Sequence, residues 1–130
     1  MLREFIDYLA LAFPEGVFKE YAPESFPPPF LTVKQTEHEY DDALGADASQ
    51  SQTATVEVTV WVKDRASVAP LLERLRRRVN RPGEVFDLWG VSVGLMRIES
   101  EDETLDYIDD AGERTLAEHT VTVQLHYERI

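Results

Sequence analysis

The stretch from Thr53 to Arg81 constrains the fold of this chain more than any other. In Thr55-Val56-Glu57-Val58-Thr59-Val60-Trp61-Val62-Lys63, four valines alternate with polar or amphipathic residues. Successive strand side chains point to opposite faces, so this pattern predicts a strand with one apolar and one wet face. After Asp64 the period changes. Val68, Leu71, Leu72, Leu75 and Val79 share one helical stripe, with Ser67 placed as N-cap, Pro70 in the first turn and Arg81-Pro82-Gly83 closing the helix. A strand running straight into an amphipathic helix asks for a layered arrangement in which the two apolar faces meet.

The rest of the chain supplies the partners. Leu2, Phe5, Ile6, Leu9 and Phe13 predict an N-terminal helix over residues 1–13, ended by Pro14 and Gly16. Residues 14–30 form a connector that holds five of the seven prolines, with Phe18, Tyr21, Phe26 and Phe30 among them. Pro27-Pro28-Pro29 favours an extended polyproline path. Its aromatics either plug the domain's own core or dock on a neighbouring subunit. Phe30 to Tyr40 reads as a strand, followed by a polar loop from Asp41 to Gln52. A third strand is expected from Trp89 to Ile98, with Trp89, Val91, Val93 and Leu95 on one face and Gly90 and Gly94 marking close approach or a bulge. Glu99 to Glu113 reads as a second, acidic loop, and Ala117 to Glu128 as the last strand. The predicted fold is a single α+β domain spanning residues 1–130. Its sheet core lies in residues 31–130, a four-stranded, mostly antiparallel sheet with two helices on one face, a two-layer sandwich.

Composition narrows the function. The 130 residues suit one domain. The chain has no cysteine, which removes disulfides, thiolate metal sites and cysteine nucleophiles. No run approaches the roughly 20 apolar residues of a membrane span, and Arg3, Glu4 and Asp7 interrupt the N-terminal apolar stretch, so folding in the cytoplasm without a membrane partner is expected. A net charge of −12, from 13 basic and 25 acidic residues, opposes free binding to nucleic acid. Glu37-His38-Glu39 is a poor metal set, because neighbouring strand residues point to opposite faces. The acidic loop lacks calcium-loop spacing. His119 falls on an apolar strand face and His126 on a wet one. Neither a nucleophile elbow nor a phosphate loop is present. No enzyme activity and no cofactor are therefore expected.

One basic cluster stands against the acidic background. Arg74, Arg77, Arg78 and Arg81 lie on one face of the second helix, with Arg76 at its flank. They are either a solvated helix face, where Glu73 pairs with Arg77, or a subunit interface. In the second case they would meet acidic segments of a neighbour, Asp41 to Asp47 and the loop holding Asp106, Asp109 and Asp110. Opposite patches on one chain make a heterologous contact, which closes into a ring when the rotation fits. DNA binding by the arginines is a third reading that the net charge opposes.

The order of parts resembles the small tail-terminator and tail-completion (neck) proteins of long-tailed bacteriophages. The likeness rests on the strand Ala54 to Val62, the helix Val68 to Val79, the acidic loop with Asp106, Asp109 and Asp110, and the closing strand His119 to Tyr127. It covers roughly residues 30 to 130; the proline-rich connector departs from it. The resemblance implies a structural virion protein of the tail or neck region. It would form a ring, commonly a hexamer, that ends tail-tube polymerisation and meets the head connector or stopper protein. DNA would pass through the ring as cargo. Thr55, Glu57, Thr59, Thr120, Thr122 and Gln124 would then face the lumen, with Lys63 as the one basic residue there. Competing readings are another neck or tube component, an acidic inhibitor that mimics DNA, and a small carboxylate enzyme.

Overall fold

The computed structural model describes residues 1–40, 51–81, 83, 86–108 and 115–129. The chain runs α1 (Leu2–Ala10), β1 (Val17–Lys19), β2 (Phe30–Tyr40), β3 (Ser51–Val62), a 3-10 turn (Arg65–Ser67), α2 (Val68–Val79), β4 (Phe86–Leu88), β5 (Val91–Glu101), β6 (Leu105–Ile108) and β7 (Thr115–Arg129). The four-stranded sandwich expected from the sequence is overturned. Among the described residues seven strands build one curled, mixed half-barrel sheet. Its order is β1-β2-β3-β7-β5-β4, with β6 added to β7 beyond the end of β5.

The three strands that the sequence hides have three or four residues each, too few for an alternation to show. β1 lies inside the proline-rich connector and pairs parallel to β2, which makes the sheet mixed. β4 occupies the short connector after α2, and β6 sits inside the acidic loop. The long strands contribute the curl. β2 and β5 carry register shifts at Gln35/Glu37, Val93/Leu95 and Ile98/Ser100, and such bulges bend a strand and increase its twist.

The shift in β5 also changes its faces. Val91 and Val93 are buried, but the next buried residue is Met96, whereas Leu95 moves toward the outer face. Trp89 leaves the strand altogether and enters the turn between β4 and β5. The start of α2 differs as well. Ser67 holds the N-cap position of α2, but its side chain makes no capping hydrogen bond among the described residues; Asp64 caps the preceding 3-10 turn, its carboxylate accepting from the Ser67 amide and hydroxyl at 3.0 and 2.8 Å.

One hydrophobic cluster joins both helices to the sheet. Val56, Val58, Val60 and Val62 of β3 and Val121, Val123 and Leu125 of β7 meet Leu71, Leu72, Leu75 and Val79 of α2. Phe5, Leu9 and Phe13 enter the same cluster from the N-terminal segment. While α2 packs on the central strands β3, β5 and β7, α1 touches β1, β2 and β4. It therefore bridges the two ends of the strand order across the open side of the half-barrel. A second, smaller aromatic cluster lies on the opposite sheet face. Phe18, Phe26 and Phe30 meet edge to face, Phe30 stacks on Trp61, and the Trp61 indole donates to Thr32 Oγ1 at 2.9 Å. Three of the connector's four aromatics thus pack on their own chain, on the face away from the main core, whereas Tyr21 is exposed. No described helix is long and apolar enough to cross a membrane.

Candidate functional site

Strands β3 and β7 pair along their whole length, and the six residues expected to line an opening come together in three cross-strand rows. Thr55 faces Gln124, Glu57 faces Thr122, and Thr59 faces Thr120. The last pair is joined by a hydroxyl hydrogen bond of 3.0 Å. All six are half-buried on the face opposite the main core. The strip exists because each apolar residue that β3 and β7 turn to the core forces its neighbours outward.

The strip is flanked by more positive charge than the sequence indicated. Lys34 of β2 lies opposite Glu57, and Arg97 of β5 lies opposite Gln124. The Arg97 guanidinium donates twice to Gln124 Oε1, at 3.2 and 2.9 Å. Lys63, the one basic residue expected on this face, lies exposed beyond the end of β3. The signal for Lys34 and Arg97 was present as register, but a register requires knowing which strands pair. A row therefore runs Lys34, Glu57, Thr122 across three strands, and the next runs Thr55, Gln124, Arg97. Chemically this is a neutral hydrogen-bonding surface with one carboxylate and two edge cations.

The arginine helix face is organised by the chain itself. Arg74 Nη1 donates to both oxygens of Glu15, at 2.8 and 2.9 Å, and its guanidinium lies 5.0 Å from the Phe13 ring centre. Arg78 sits 3.7 Å over the Tyr8 ring and donates to the Tyr8 carbonyl at 2.7 Å. The Tyr8 hydroxyl donates to the Arg78 carbonyl and accepts from Arg81, both at 2.8 Å. Arg81 also covers Phe86, 4.7 Å from its centre. These three arginines, spaced i, i+4, i+7, tie α2 and the residues just after it to α1, to the segment that follows α1, and to β4. Arg77 pairs with Glu73 and remains largely exposed.

The acidic segment after β5 is likewise engaged within the chain. Arg76 grips both Glu101 oxygens at 2.9 and 2.8 Å, and Arg65 binds both Asp106 oxygens at 3.2 Å. The Arg76 hydrogen bond holds the Glu101 carboxyl below the usual carboxylate range, and the same bond raises Arg76. Asp109, Asp110 and the segment Asp41 to Asp47 lie outside the described residues.

The histidines fall in separate places. His38 Nε2 lies 2.6 Å from Gln52 Oε1, to which the Tyr127 hydroxyl also donates at 3.0 Å. His126 Nδ1 meets the Thr53 hydroxyl at 2.9 Å on the outer face. His119 is buried; its Nδ1 meets Thr104 Oγ1 at 3.0 Å, and its Nε2 has no hydrogen-bond partner among the described residues. Glu37 and Glu39 face Thr55 and Thr53, opposite to His38, which faces Ala54. Among the described residues no three His, Asp or Glu side chains converge as a metal set.

No protein-family model matches the chain, and no curated protein does. Among solved structures, the fold is similar to a chain of the particle described as "Virion of native gene transfer agent (GTA) particle". The TM-score is 0.57 at 10% sequence identity, over 92% of this chain and 84% of that one.

Proposed function

We propose that this chain is a structural virion protein that forms a ring at the head-proximal end of a phage-type tail tube. There it ends tube polymerisation and joins the tube to the head connector, with DNA passing through the ring. The observation that carries this reading is the shared fold, over nearly the whole chain, with a component of a gene transfer agent virion. The order of parts, which resembles tail terminators, supports a position at the head-proximal end of the tube. The threonine and glutamine strip suits a lumen: it offers weak, exchangeable hydrogen bonds, while the net charge of −12 prevents retention of a polyanion. The role is mechanical, and no cofactor takes part.

The test is the length of tails made by a particle-producing host that lacks this chain. Tails of uncontrolled, excessive length are expected in electron micrographs. Tails of normal length left without heads would overturn the terminator role in favour of another neck component.

A further inference from the structure

We propose that Trp89 of one copy docks in the groove between α1 and β1 of a second copy. The inference rests on the ring reading above and names its subunit contact.

Three observations carry it. The first is a residue in the wrong place for folding. Leu88 pairs with Val91, so Trp89 and Gly90 form a two-residue hairpin turn, with φ of 45° and 88°. Such turns demand positive φ at both positions and favour Asn-Gly or Asp-Gly. A bulky side chain there is strained, and this indole is 59% exposed. Backbone strain of this kind persists where a side chain has a use that folding does not supply.

The second is an apolar recess beside α1. Leu2, Arg3, Ile6, Asp7 and Lys19 line a groove of about 310 Å³. Leu2 and Ile6 pack inward on the core and present their outer sides as its floor.

The third is charge. In a chain of net −12, the groove rim carries two exposed cations, Arg3 and Lys19, against one exposed carboxylate, Asp7. The hairpin tip has exposed carboxylates beside it. Asp87 stands two residues before Trp89, and Glu128 of β7 lies opposite Ser92. A cation over the indole face adds attraction of its own. Knob and groove are different patches, so the contact is heterologous, as a closed ring requires.

Sedimentation across a concentration series tests this on the whole chain. Trp89→Asn is expected to weaken association at least tenfold, as loss of a buried aromatic anchor does, while thermal stability stays equal or rises, because asparagine accepts positive φ. Arg3→Glu with Lys19→Glu should weaken association similarly, and Asp87→Lys with Glu128→Lys should restore it in that background. With Trp61→Phe leaving Trp89 as the sole indole, its emission should shift to the blue on assembly. Trp89→Asn protein that assembles like wild type overturns the contact and leaves the ring reading standing. A wild-type chain that stays monomeric at every concentration overturns the contact too, and the tail-length measurement then decides the terminator role independently.

Discussion

Tyr8 shows how much of this molecule turns on single side chains. Its hydroxyl satisfies the Arg78 carbonyl and Arg81, its ring lies beneath the Arg78 guanidinium, and its other side stacks on Phe86. Tyr8→Phe keeps the ring but leaves those polar groups short of a partner. A loss of about 1–2 kcal/mol is expected in urea denaturation. Arg77→Ala, which removes one half of a largely exposed ion pair, should stay within about 0.5 kcal/mol. The contrast separates clamp arginines from the solvated one. Gly16 makes the same point for the backbone: its φ is 128°, and an added Cβ would meet the Phe18 ring at 3.0 Å. Four arginines on one helix looked like a patch from sequence. That Arg74, Arg78 and Arg81 face Phe13, Tyr8 and Phe86 depends on how α1 crosses α2, which no local pattern encodes.

At the scale of elements, the segment from Glu101 through β6 is pinned by Arg76, by Arg65 and by the Thr104–His119 contact. The Glu101 carboxyl is held below its ordinary 4.5. Its contribution is therefore complete above that value and disappears as pH falls through the lower folded value. Glu101→Gln should flatten this part of the acid limb in urea midpoints measured from about pH 5 downward. Glu101 remains partly exposed, and after discounting for solvent the effect is at most about 1 kcal/mol. The long strands and both helices were legible in the sequence because nine or more residues repeat a period. β1, β4 and β6 were not, because pairing with a neighbour, rather than any alternation of their own, makes them strands. The polar strip was legible on β3 and β7, whereas its flanking cations Lys34 and Arg97 awaited the register.

At the scale of the whole molecule, α1 closes a sheet that would otherwise gape. Burying Phe5, Leu9 and Phe13 contributes about 1.5–3 kcal/mol each, together comparable with the entire stability of a domain. A chain beginning at Pro14 should lose its cooperative thermal transition in calorimetry. The strand order has a further consequence for how the protein comes into being. β7 pairs with β3, β5 and β6, yet it is the last of the strands to leave the ribosome. Until it arrives, β3 and β5 each present an unpaired edge, and the valine face has no central partner. Until β7 emerges, the growing chain must therefore keep two bare strand edges apart, which makes it a client for whatever shields such edges in the cell.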